Sequence, residues 1–228
     1  MMGFSADDLT ALTVTLKLAA ISTGILLLLG TPLAWWLANT RCRIKIIVDA
    51  VVALPLILPP TVMGFYLLIA LGPNGPLGRL TQGMGSGTLA FTFTGLVIGS
   101  VVYSLPFVVQ PLQDAFASIG KRQMEVAATL RAAPLDRFFS VALPLSRHGY
   151  LTALVLGFAH TVGEFGVVLM IGGNIPGETR VLSIAIYDHV ESLQYQQAHL
   201  LSGTLLLLAF LLLLTVYGLK RRYRVNHV

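Results

Sequence analysis

Two side chains in this 228-residue sequence stand out for the chemistry they could do: His160 and Glu164, in the stretch HTVGEFG. They lie four residues apart, so on a helix they share one face and could hydrogen-bond. Both fall within an apolar run, where a carboxylate is costly and marks a functional or structural polar site. Gly163 and Gly166 flank Glu164 and would let another helix approach closely. No third metal ligand or nucleophile lies nearby, and no H-E-x-x-H spacing occurs. Accordingly no catalytic residue and no metal are assigned, and an intramembrane enzyme is the weaker reading. The single cysteine, Cys42, excludes an internal disulfide and any cysteine-based metal site. Nucleotide chemistry is absent as well, since no G-x-x-x-x-G-K-[ST] occurs. The GKR at 120–122 lacks the hydroxyl and the glycine spacing, and GMGSG at 83–87 reads as a flexible turn.

The elements that must position these groups follow from composition. Hydrophobic residues make up 55% of the chain and charged residues 11%, with a mean hydropathy of +0.80. A soluble domain carries about 25% charged residues. So few charges cannot cover a water-facing surface, and the chain reads as an all-α integral membrane protein. Five apolar runs are long enough to cross about 30 Å of hydrocarbon. They span about 12–37, 48–71, 89–111, 149–171 and 198–219. Each is expected to be helical, because in lipid a helix satisfies its own backbone polar groups. The start, MMGFSADDLT, has acidic residues and no basic n-region, so the first run is expected to be a retained span.

Orientation follows from the basic residues. Arg41, Arg43 and Lys45 follow the first run. Lys121, Arg122, Arg131, Arg137 and Arg147 separate the third from the fourth, and Lys220, Arg221, Arg222 and Arg224 follow the fifth. With five spans these twelve of the fifteen basic residues share one side, which puts the N-terminus outside and the C-terminus in the cytoplasm. The pI near 9.6 is then a consequence of topology, and no nucleic-acid partner is needed.

Within the second run, LPLILPPTVMGFYLL (54–68) places Pro55, Pro59 and Pro60 just ahead of Thr61 and Gly64. Prolines remove backbone donors and interrupt the helix ladder. Freed carbonyls at membrane depth must face protein or a water-lined cavity. The stretch is therefore a discontinuous helix lining a translocation path, or a kink packed against neighbouring spans. Gly163, Glu164 and Gly166 join it as candidates for the path or its gate. An ionised Glu164 would repel a transported anion, so a gating or helix–helix contact is assigned to it.

The longest loop on the basic side holds RQMEVAATLRAAPLDRFFSVALPL (122–145). EVAATLRAA is rich in helix formers, and Pro134 ends that helix or opens the next. Two short helices would expose Leu130, Phe138 and Phe139, an apolar knob suited to docking a partner. An amphipathic hairpin lying on membrane lipid is the alternative. The stretch resembles the EAA loop of the permease subunits of type I ABC importers, in which Glu-Ala-Ala is followed by a Gly and a closing Leu-Pro. Glu125, Ala127, Leu130, Phe138, Leu143 and Pro144 fit that spacing. Val126 replaces the first Ala. Arg131 stands where Gly is usual, which leaves open a tight turn there, or a reach to an acidic group on the partner.

LPLILPPTV, GEFG and NIPGETR resemble the molybdate branch of that family more closely than the sulfate branch, over about residues 10–219. The resemblance implies the type I permease fold, with a coupling helix seated on a separate cytoplasmic ATPase dimer that binds ATP and Mg. No cofactor is expected in this chain. The resemblance also implies a periplasmic molybdate-binding protein docking on the outer side, with Asn174, Glu178 and Arg180 as candidates. Those residues otherwise sit in a solvated loop, Asn174 and Pro176 as turn formers. Five spans are too few to enclose a roomy route, so a homodimer is expected. The function implied is ATP-driven molybdate import across the inner membrane. Sulfate or tungstate permeases of the same family, or an ion-coupled carrier, are the alternatives.

Overall fold

Helix α1 (Ala6–Asn39) starts ahead of the apolar run expected at about 12–37. Ser5 caps it: its hydroxyl accepts from the Asp8 N–H at 3.0 Å, and the Asp8 carboxylate accepts from the Ser5 N–H at 3.2 Å. This reciprocal box satisfies two N–H groups that a helix start would leave orphaned. Along α1 the small and apolar residues Ala11, Leu18, Ala19, Leu26, Ala34 and Leu37 are buried at helical spacing. In the computed structural model, which describes residues 4–85 and 87–225, this stripe packs against α5 (Phe93–Ala117) and α9 (Arg147–Val162). Ser86 of the glycine-rich stretch and the last three residues of the basic tail lie outside the described residues. At Gly157 an added Cβ would sit 2.6 Å from Val108, so only glycine lets α5 and α9 approach this closely.

The described residues are helical, with no strand among them. Three helices are long and apolar enough to cross a membrane: α1, α5, and the Tyr195–Thr215 part of α12 (Tyr195–Val225). The other two apolar runs are broken. The second is α2 (Ile44–Ile57) followed by α3 (Pro60–Leu71) and the short helix α4 (Pro76–Gly83), and the pair bends by 114°. The interruption falls at Leu58 and Pro59, both extended, and Pro60 opens α3 at its first turn, where its missing N–H costs nothing. Pro55 stays inside α2. The fourth run is not one helix either. α9 ends at Val162, and α10 (Gly166–Gly172) resumes at 59° to it. The poor helix formers Gly163 and Gly166 bracket the break.

The two broken runs pack on each other through α3 and α10, around buried Leu71, Val167 and Ile171. The loop toward the C-terminal half contains α6 (Lys121–Thr129), α7 (Pro134–Arg137) and α8 (Leu143–Leu145), with a π-helical turn over Phe138–Ala142. α11 (Leu182–Glu191) lies between α1 and α12.

Candidate functional site

The two helix breaks meet around a cavity of about 570 Å³. Pro60 and Thr61 come from the start of α3, His160 from the end of α9, and Gly163, Glu164 and Gly166 from its break. Five of the path candidates are thus brought together. Gly64 sits one turn further along, buried, where an added Cβ would lie 2.7 Å from the Cβ of Met170. Pro55 and Pro59 do not line the cavity.

His160 and Glu164 do not pair. α9 ends between them, so the four-residue spacing no longer brings them to one helical face. His160 Nδ1 lies 2.9 Å from Ser104 Oγ, and its ring stacks on Phe107 at 3.8 Å. Ser104 Oγ also meets Thr161 Oγ1 at 3.1 Å. Glu164 is 5% exposed, and neither of its carboxyl oxygens has a hydrogen-bond partner. Ser100 is near it, yet the two do not meet in hydrogen-bond geometry. The break itself is tied down by the Ser183 hydroxyl, which donates to the Glu164 carbonyl at 2.6 Å. Tyr103, Ser100 and Ser104 were not singled out by sequence. Their signal is the four-residue spacing of two serines inside the apolar run GSVVYSLPF.

The hairpin at 122–145 is built differently. α6 ends in a Schellman motif: Ala132 N–H donates to Ala127 O at 3.2 Å and Arg131 N–H to Ala128 O at 3.0 Å. Arg131 occupies the left-handed position with φ +59°, so the turn forms without glycine. Pro134 opens the returning helix, and Leu143 N–H donates five residues back to Phe138 O, which makes the π-turn just ahead of Pro144. Glu125 is exposed, Ala127 buried, and Val126, Leu130, Leu135, Phe139 and Leu145 are exposed apolar groups. Phe138 departs from expectation. It is turned inward, edge-on to Trp35 at 5.2 Å and 6.0 Å from Phe116, at the ends of α1 and α5.

On the opposite end, Asn174 and Glu178 are exposed. Ile175 O accepts from the N–H groups of Glu178, Thr179 and Arg180, and Gly177 takes φ +80°. Arg180 Nη2 bonds Asp188 Oδ2 at 2.6 Å. Beside it, buried Asp8 bonds His189 Nε2 at 2.9 Å, and His189 Nδ1 lies 2.8 Å from Gln194. Burial works against charging His189, but the bonds to Asp8 and Gln194 outweigh it and hold its pKa above the ordinary imidazole value.

Similarity to known proteins extends along the chain. Residues 30–224 match the model of the binding-protein-dependent transport system inner membrane components. The molybdenum transport system permease protein ModB of Azotobacter vinelandii is 61% identical over 220 residues, 96% of this chain and 97% of that one. Its counterpart in Haemophilus influenzae is 34% identical, covering 94% of each. A sulfate transport system permease protein of Synechocystis is 32% identical over 92% of this chain and 73% of its own length. Among solved structures, a bacterial ABC transporter for import of the acidic polysaccharide alginate matches with TM-score 0.78 at 18% identity, over 96% of this chain and 80% of that one. The MetNI methionine ABC transporter in an inward-facing conformation matches with TM-score 0.71 at 17% identity, over 96% and 99%. At those identities the two structures speak to the fold alone.

Proposed function

The chain belongs to the family of binding-protein-dependent transport system inner membrane components, and on that premise we propose that it is the permease of an ATP-driven importer of molybdate. The observation that carries this is the 61% identity to a molybdenum permease across nearly the full length of both chains. It is a multi-pass inner-membrane subunit and not an enzyme; ATP is hydrolysed by a separate subunit.

The chain's own residues suggest how it works. The hairpin at 122–145 is the coupling element, with its N-terminus-outside, C-terminus-inside orientation set by the basic loops. Glu125, Ala127, Leu130, Arg131, Leu143 and Pro144 shape it, and exposed Leu130 and Phe139 give it an apolar tip for an ATPase groove. Phe138 serves from the inside, joining the hairpin to Trp35 and Phe116 so that motion of the tip reaches α1 and α5. The ATPase pair binds ATP and Mg. Two copies of this chain face each other across the path, with the broken ends of α2 and α3 on its wall. A periplasmic molybdate-binding protein docks at the outer end near Asn174 and Glu178, with Arg180 held in place by Asp188. Rocking of the pair then opens the path to one side at a time.

Reconstitution with the ATPase and binding protein in proteoliposomes tests this. Uptake of radiolabelled molybdate is expected to require ATP and to be competed by tungstate more strongly than by sulfate. Glu125→Arg is expected to abolish co-purification of the ATPase while leaving the permease folded. Uptake that persists without ATP would overturn the reading in favour of an ion-coupled carrier.

A further inference from the structure

Helix α4 has one face that nothing among the described residues covers. Leu77, Leu80 and Met84, at i, i+3 and i+7, are 40%, 64% and 81% exposed. Arg79 and Gln82 are exposed too, on the side away from these apolar residues. The buried side is glycine. An added Cβ at Gly78 would run into Gly72 O, so α4 packs backbone to backbone on the end of α3. The helix is also tethered there. Residues 72–75 join it to α3, and the chain comes back at Ala90, whose N–H donates to Leu71 O at 3.4 Å. The Thr81 hydroxyl donates to Gly87 O at 2.7 Å and ties α4 to that return.

The depth of that end in the membrane follows from α1. Lys17 is exposed, and its ammonium lies 4.8 Å from the ring centre of Phe93, the first residue of α5. A lysine in an apolar span keeps its charge at the boundary of lipid and water. Trp36, 39% exposed, stands further along the same helix. At 1.5 Å per residue it is about 28 Å from Lys17. Tryptophan favours the same kind of boundary, and bilayer hydrocarbon is about 30 Å thick. One boundary therefore passes through Lys17 and the start of α5. Ala90, three residues before Phe93, is bonded to the end of α3, so α4 is held at this boundary.

We propose that α4 lies in the membrane–water interface, at the end of the bundle opposite the hairpin. Leu77, Leu80 and Met84 sit on lipid, and Arg79 and Gln82 face water. The occupant of the open face is the membrane itself, whichever ion the permease carries. The other end of α3 brings Pro60 and Thr61 to the cavity. An apolar anchor on α4 opposes sinking or lifting of α3, and so keeps those residues at a fixed depth while the bundle moves.

The test reads depth by spin labelling. Single cysteines replace Leu77, Arg79, Leu80, Gln82 and Met84 in turn, with Cys42→Ser removing the exposed native thiol. Each full-length variant carries a nitroxide and is reconstituted with unlabelled ATPase in vesicles of phosphatidylethanolamine and phosphatidylglycerol. Collisions with oxygen, which partitions into lipid, and with a water-soluble nickel chelate give the depth of each label. Labels at 77, 80 and 84 are expected to lie about 5 Å or more deeper than those at 79 and 82. All five positions are exposed, and the alternation is still read from the others if one variant does not assemble. Labels at 77, 80 and 84 that meet nickel as freely as those at 79 and 82 would overturn the proposal. So would an apolar face that closes to nickel only when a binding protein is added, which would make that protein the occupant. Spin–spin broadening between permeases at 77, 80 and 84 would overturn it as well, in favour of a second copy of the chain.

Discussion

Asp8 and Glu164 are both buried carboxylates, 3% and 5% exposed, and the chain treats them in opposite ways. Asp8 accepts from the Ser5 N–H and bonds His189, so its two oxygens are used. Glu164 has no partner for either oxygen. The difference is one of surroundings. Asp8 sits in the first turn of α1, where a capping serine and a helix start favour a negative charge. Glu164 sits at the end of α9, where the helix carbonyls disfavour one, beside a cavity and a helix break. Folding has satisfied the first group from within the chain. The second is left sealed in the protein with no partner for either oxygen.

Removing each carboxylate should give the largest contrast. Asp8→Ala strips His189 of its partner and α1 of half its capping box, and is expected to cost about 3 kcal/mol of stability. Glu164→Leu replaces an unsatisfied polar group by an apolar one of similar size, and is expected to leave stability unchanged within about 0.5 kcal/mol or to raise it. Apparent melting midpoints of the detergent-solubilised permease report both. Equal losses for the two variants would mean that Glu164 is bonded as firmly as Asp8, and the contrast would dissolve.

The sequence showed part of this and hid part. The helical membrane class was legible because so few charges cannot cover a soluble surface. The hairpin was legible because helix formers, Pro134 and the closing Leu143-Pro144 act locally, through capping and ring constraints that need no distant neighbour. The cavity was legible only as two separate stretches. That Pro60 and Gly166 meet is a long-range fact, set by α3 packing on α10, and no spacing along the chain encodes it. The supposed pairing of His160 with Glu164 assumed a continuous helix, and Gly163 ends that helix between them. Phe138 misled for a different reason. Adjacent helical residues do not share a face, so Phe139 stays at the surface while Phe138 packs on Trp35.

The paired carboxylate also makes the end of the protein at the start of α1 pH-sensitive in a direction that can be stated. Burial opposes the charge of His189, the bonds to Asp8 and Gln194 outweigh it, and Arg180 takes part of the gain back, leaving the pKa raised. A group whose pKa is raised on folding contributes stability that is complete below its unfolded value, about 6.5, and is lost as pH rises through the folded value. The melting midpoint of the wild type is therefore expected to fall across that window. Asp8→Asn removes the charge that holds the proton, and is expected to cost about 1.5 kcal/mol at low pH and to flatten the profile. A profile of unchanged slope in Asp8→Asn would assign the pH dependence to another group.

The smallest expected effect lies in the hairpin, where a local rule is broken in full exposure. Arg131 holds φ +59° at the position after α6 where glycine has no steric penalty. The Schellman bonds of Ala132 and Arg131 keep it there at the expense of strain at its Cβ. Arg131→Gly relieves that strain but gives the unfolded hairpin more freedom, so the net gain is expected to be modest, about 0.5 kcal/mol. Amide exchange of residues 125–132 is the measurement, because it reads the local opening without the rest of the bundle. Slower exchange in Arg131→Gly, with unchanged ATPase co-purification, would mark Arg131 as a strained cap and nothing more. Slower exchange with weakened co-purification would mean that the guanidinium itself reaches an acidic group on the ATPase. In that case Arg131, like Glu164 and unlike Asp8, is a residue the chain keeps at a local cost, here for a partner it does not contain.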